Sequence, residues 1–89
     1  MIFELSKRAK SDIKDIVRYT AVNFGGAQAE EYVDGLFYSF ELLTDNPRLG
    51  REWKTGRRRY IYRMHYIYYR IVRDSVFVTH IRHSSQNPL

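Results

Sequence analysis

The feature that most restricts what this chain can become is a change of hydrophobic period part-way along it. Between Ser6 and Thr44 apolar residues recur at steps of three and four, and from Arg57 to His83 they recur at steps of two. The first spacing lines one side of a helix; the second lines one side of a strand. In the first stretch Ala9, Ile13, Ile16, Val17 and Thr20 form a stripe, with Lys7, Arg8, Lys10, Asp12, Lys14, Asp15 and Arg18 on the remaining positions and Ser6 placed as an N-cap. Asn23, Gly25 and Gly26 break the pattern, because glycine supplies the positive φ angles that a helix end and tight turn need. A second stripe of Ala29, Tyr32, Val33, Leu36, Phe37, Phe40 and Leu43 predicts a helix from about Ala27 to Thr44, closed by Asp45, Asn46 and Pro47. Ahead of both helices, Ile2, Phe3 and Leu5 form a short apolar run that reads as a strand.

After a loop from Arg48 to Gly56, three segments rich in β-branched and aromatic residues predict strands: Arg57 to Arg63, His65 to Val72, and Val76 to His83. Asp74 and Ser75 read as the turn between the last two, while the turn near Met64 has no Gly, Asn or Asp to mark it. In the middle strand His65, Ile67, Tyr69 and Ile71 share one face, opposite Tyr66, Tyr68 and Arg70. By the same alternation His83 belongs with Phe77, Thr79 and Ile81, opposite Val76, Val78, His80 and Arg82. Tyr60, Tyr62, Tyr66 and Tyr68, all at even positions, suggest an aromatic ladder across neighbouring strands. The expected fold class is α+β in the order β-α-α-β-β-β, a helical hairpin and N-terminal strand packed on a mainly antiparallel sheet.

A chain of 89 residues is read as one domain, residues 1–89. Its charge is unevenly placed: Met1 to Pro47 carries 5 basic and 8 acidic residues, and Arg48 to Leu89 carries 10 basic and 2 acidic. The second half is therefore the expected working surface, with a field that would attract nucleic acid, the ribosome or an acidic protein without specifying which. The chain has no cysteine and three separated histidines, so neither a disulfide framework nor a metal site is expected, and no cofactor is implied. No apolar stretch approaches a signal peptide or the roughly 20 residues of a membrane span, which points to a cytoplasmic protein without a membrane partner.

The chain resembles the RelE/ParE toxin superfamily over nearly its whole length, and its ParE branch in particular. The residues that carry the likeness are Ala9, Asp12, Ile13, Ile16 and Tyr19 in the first helix; Gly25, Ala29 and Tyr32 at the entry to the second; and Leu43, Pro47 and Gly50 after it. The most specific piece is the final hairpin, where His65, Ile67, Tyr69 and Ile71 are followed by Val76, Val78, Ile81 and His83. The resemblance implies the toxin of a type II toxin–antitoxin system, neutralised by a cognate antitoxin that wraps it with an extended or helical segment in a hetero-oligomer. It also implies DNA gyrase as the target, since ParE-type toxins are gyrase poisons rather than enzymes. RelE-type relatives on the same fold are ribosome-dependent endoribonucleases, so fold does not choose between these activities.

Against a nuclease, the arginine expected just after His65 is Tyr66, and the basic, histidine or tyrosine residue expected past the last strand is Ser84 or Ser85. A nuclease here would rely on Arg63, Arg82 and His83 as phosphate clamps and acid–base group. A third reading is a non-toxic binding module that regulates its operon with an antitoxin. For a gyrase poison no residue is catalytic. The candidate target-binding residues are then Arg57, Arg58, Arg59, Arg63, Trp53 and His83, with direct nucleic-acid contact permitted but not required. Each has a plainer alternative: the arginines as a charged edge that prevents sheet pairing, Trp53 as a lid on the core, and His83 as a hydrogen-bonded strand end. The resemblance further implies a contribution to toxicity from the tail, Ser84 to Leu89.

Overall fold

The structure, a computed structural model, describes residues 2–86. Strand β1 (Ile2–Leu5) leads into helices α1 (Lys7–Phe24) and α2 (Gly26–Asp45), followed by strands β2 (Arg51–Lys54), β3 (Arg57–Tyr62), β4 (His65–Val72) and β5 (Ser75–His83). The five strands form one sheet in the order β1-β5-β4-β3-β2. β1 runs parallel to β5, and the other pairings are antiparallel. The expected α+β order is present, with one strand more than the sequence pattern indicated.

Local chemistry places each helix end. The Ser6 Oγ accepts the Ala9 N–H at 2.9 Å and caps α1, while its own hydroxyl donates to the Thr79 carbonyl at 2.6 Å. One side chain thus starts the helix and ties it to β5. Gly25, at φ 96°, ends α1 and begins α2, and this lets the two helices fold back on each other. Their apolar stripes meet one face of the sheet: Ala9, Ile13, Ile16, Leu36, Phe40 and Leu43 pack with Ile67, Tyr69, Val76, Val78 and Ile81. This is the core, and it leaves the opposite face of the sheet without a covering layer.

Several expectations are corrected. The segment Arg48 to Gly56 is not all loop: Arg51–Lys54 forms β2, an edge strand paired with β3 and irregular between Glu52 and Lys54. Trp53 is its only large apolar residue, so no alternation announced it. The hairpin turn is Arg73-Asp74, not Asp74-Ser75, because Ser75 already pairs with Val72. Arg63 and Arg73 open their turns at φ 50° and 55°, in the left-handed region usually given to Gly or Asn; the turn near Met64 is present as expected although no such residue marks it, and the second turn falls one residue earlier than its composition suggested.

The aromatic ladder does not form. Tyr60 pairs with Ile67 and Tyr62 with His65, so even residues of β3 share a face with odd residues of β4. Tyr60 and Tyr62 accordingly pack on the core side, whereas Tyr66 and Tyr68 lie on the other. Strict alternation also fails in β5. Tyr68 pairs with His80 and Tyr69 with Val78, so Thr79 is an extra, bulged residue. Parity flips there, and Val76, Val78 and Ile81 all reach the core. His83 pairs with His65 on the helix-covered face, apart from Phe77, with which alternation had grouped it.

Candidate functional site

The uncovered face of the sheet concentrates cations and rings. Register places Arg59, Tyr66, Tyr68, Arg70, Phe77, His80 and Arg82 together there. Tyr68 is its anchor, at 1% exposure despite lying opposite the core. His80 stacks on it with ring centres 4.3 Å apart and planes at 7°, and Trp53 meets it edge-on at 5.2 Å. Arg59 lies over the Tyr66 ring at 4.2 Å and Arg70 over Phe77 at 5.9 Å, so aromatic faces hold these guanidiniums in place. A pocket of about 330 Å³ opens between Trp53, Arg57, Arg58, Arg70, Thr79 and His80.

Polar groups on this face are incompletely satisfied. The Thr79 hydroxyl donates to the Tyr68 carbonyl at 3.2 Å, so its oxygen is left to accept the His80 Nδ1–H at 2.9 Å. That assignment makes His80 Nε2 a bare lone pair, which is buried and unpartnered, as are Trp53 Nε1 and Arg82 Nε. Burial, then the charges of Arg8, Arg82 and Arg57, lower the His80 pKa to about 4, which keeps the ring neutral at physiological pH. Among the described residues the single ion pair is Arg63 with Glu31 at 3.7 Å, away from this face, so its cations have no carboxylate partner.

The helix-covered side carries a second arrangement at the end of β5. Tyr32 of α2 meets His65 Nδ1 at 2.7 Å, and the His65 ring stands edge-to-face on His83 at 5.3 Å. Burial, with His83 adding to it, lowers the His65 pKa to about 4. A groove of about 610 Å³ runs alongside, lined by Asp12, Asp15, Tyr19, His65, Arg82 and His83 among others. Asp12 accepts the Ile81 N–H at 2.9 Å; burial raises its pKa above the ordinary carboxylate value, against the pull of that N–H and of Arg8. At the end of α1 the apolar side chains of Tyr19, Val22 and Phe24 stand exposed.

The structure disperses the sequence candidates. Arg57 is exposed at the start of β3, and Arg59 and Trp53 belong to the uncovered face. Arg58 is turned instead to the loop before β2, donating to the Gly50 carbonyl at 2.6 Å. Arg63 sits in the β3–β4 turn, near the Tyr32 and Tyr62 rings and Glu31. Arg82 pairs with Tyr66 on the uncovered face, whereas its neighbour His83 is on the other. Arg82 and His83 nonetheless both line the groove beside β5, while Arg63, in the β3–β4 turn, is outside its lining. Sequence reasoning missed Tyr68 and His80 as the centre of the open face, because their alignment depends on the Thr79 bulge. It also took Tyr32 as simple core stripe; nothing in the helical period reveals its hydroxyl contacts. The described part of the tail, Ser84 to Gln86, is held against His83. Asn87 to Leu89 lie outside the described residues.

A helical hairpin over one face of a small sheet, with the other face open and cationic, defines a basic α+β domain suited to macromolecular contact. A solved structure of the chromosomal ParDE TA system from P. aeruginosa contains a chain with the same fold, at TM-score 0.81 and 19% identity, over 93% of this chain and 95% of that one. Toxin ParE1 of Caulobacter vibrioides is 33% identical over 89 residues, spanning 96% of this chain and 91% of the relative. Residues 3–88 match the family model described as the ParE toxin of type II toxin-antitoxin system, parDE. The chain belongs to the ParE toxin family.

Proposed function

We propose that this ParE-type toxin acts on DNA gyrase, holding the enzyme in its cleaved-DNA state, and that a cognate antitoxin neutralises it. The observation that carries the choice of gyrase over mRNA is the sheet register, which directs Arg82 and His83 to opposite faces and leaves Arg63 in the β3–β4 turn, outside the groove the other two line. An in-line RNA cleavage site needs its base and phosphate clamps around one reacting group, an arrangement that these opposed directions do not favour. The contact surface on this reading is the uncovered face, with Arg57, Arg59, Arg70 and Trp53, together with the tail beyond His83. The unpartnered polar atoms of Trp53, His80 and Arg82 support it, since buried polar groups ordinarily find partners.

The antitoxin is an amphipathic segment whose acidic residues meet the cationic face and whose apolar residues meet Tyr19, Val22 and Phe24. Charge then sets the speed of encounter and the apolar contacts its lifetime. Among the described residues no helix is long and apolar enough to cross a membrane, and the toxin works where gyrase does, in the cytoplasm. The test is a supercoiling assay on relaxed plasmid. Purified toxin should stop gyrase and added antitoxin should restore it; unaltered supercoiling at large molar excess removes the proposal.

One observation favours a second reading. The bare His80 Nε2 beside Arg57 and Arg82 is a neutral base among cations, the ingredients of an RNA cleavage site. Message cleavage in a translation mixture, abolished by His80→Ala, would establish that reading, and intact message would dismiss it.

A further inference from the structure

The start of the tail is fastened at several points, and the fastenings lead back to one hydroxyl on α2. Ser84 N–H donates to the Met64 carbonyl at 2.8 Å, Gln86 N–H to the His83 carbonyl at 2.9 Å, and His83 N–H to Gln86 Oε1 at 3.1 Å. Ser85 N–H donates to His83 Nδ1 at 3.1 Å, with the Ser85 hydroxyl 2.8 Å from the same nitrogen. A backbone N–H can only donate, so Nδ1 of His83 is an acceptor, and the ring must be presented at a fixed angle to receive it. His65, at 80° to that ring, is the group it rests on.

Behind both Met64 and His65 stands Tyr32. Its oxygen accepts the Met64 N–H at 3.3 Å and lies 2.7 Å from His65 Nδ1. With the oxygen already accepting from Met64, its proton is free for His65 Nδ1, which leaves none of these groups unpaired. Tyr62, which donates to the Tyr32 carbonyl at 3.0 Å, and the edge contact of the two tyrosine rings at 5.0 Å fix the phenol in turn. The Met64 peptide, whose carbonyl holds Ser84, and the His65 ring, which supports His83, are therefore both set by the same hydroxyl.

We propose that Tyr32 is a positioning residue for the C-terminal tail, acting through Met64 and His65 to set the direction in which the chain leaves His83. The functional half of this inference rests on the reading above that the tail belongs to the target contact. The test is Tyr32→Phe in the full chain, which removes the hydroxyl and keeps the ring. Amide hydrogen exchange should accelerate about tenfold at Ser84, Ser85 and Gln86, the scale of one lost hydrogen bond, with core amides such as Ile67 and Val76 unchanged. Gyrase inhibition should weaken by a similar factor.

Tail amides that exchange as in the parent chain would overturn the proposal. If Tyr32→Phe also loosens the core, His65→Phe carries the test, since it keeps a ring against His83 and removes the acceptor of the Tyr32 hydroxyl. The same tail-only acceleration is expected, and an unchanged tail overturns the idea. A chain ended at His83 separates the two claims. If it inhibits gyrase as well as the full chain, the tail-contact reading fails, while the exchange result still decides whether Tyr32 positions the segment.

Discussion

At the scale of the residue, Gly35 shows how one missing methyl decides a contact. A Cβ there would fall on the Tyr62 hydroxyl and ring. Glycine inside a helix ordinarily costs up to about 1 kcal/mol relative to alanine, so Gly35→Ala would stabilise an open helix. Here displacement of Tyr62 and loss of its bond to Tyr32 should dominate, giving a net destabilisation of about 1–3 kcal/mol in urea unfolding. A gain in stability would contradict the packing described. The histidines give a second prediction. His65 and His80 are lowered to about 4 in the fold, against about 6.5 in an unfolded chain. Between these values the unfolded state binds the protons, so stability is complete above about pH 6.5 and declines as pH falls towards 4. His80→Phe, which preserves a ring on Tyr68, should flatten this decline in a series of melting curves; a profile as steep as the parent's would refute the assignment.

At the scale of the element, Ser6 couples α1 to β5 through its cap and its bond to Thr79. Ser6→Ala should cost about 1–2 kcal/mol of unfolding free energy, measured by chemical denaturation, and a change near zero would show that neither bond matters. Elements of this kind were unequally visible in the sequence. Both helices could be read from their apolar stripes because a helix repeats one geometry over many turns and Gly25 marks the break. β2 could not, since four residues with a single large apolar side chain carry no period. The bulge at Thr79 was hidden for a different reason: it is a property of pairing between Tyr68, Tyr69 and their partners on β5, and local composition does not record it. That one residue reverses the faces of His80, Ile81, Arg82 and His83, so the candidate site was legible as a set of residue types but not as an arrangement. Arg63 and Arg73 show the same limit, because tertiary pairing imposes a turn conformation that their side chains do not favour.

At the scale of the whole molecule, the helical hairpin occupies one face of the sheet and leaves the other to cations that have no carboxylate partner among the described residues, with Arg59 and Arg70 over the rings of Tyr66 and Phe77. If that face meets the target, the charge-reversed pair Arg57→Glu and Arg70→Glu should raise the half-inhibitory concentration against gyrase roughly tenfold at low salt, with the difference narrowing as ionic strength rises. A loss independent of salt would indicate damage to the fold instead, and no loss would move the contact elsewhere. Whether this ParE-family toxin traps gyrase on cleaved DNA is decided by analysing the plasmid products. Negatively supercoiled plasmid, gyrase and ATP are incubated with increasing toxin, then treated with detergent and protease. Linear plasmid should rise with toxin, carry gyrase covalently at its ends before proteolysis, and disappear when the cognate antitoxin is added. Plasmid that stays supercoiled and uncut across a large excess of toxin would contradict such trapping.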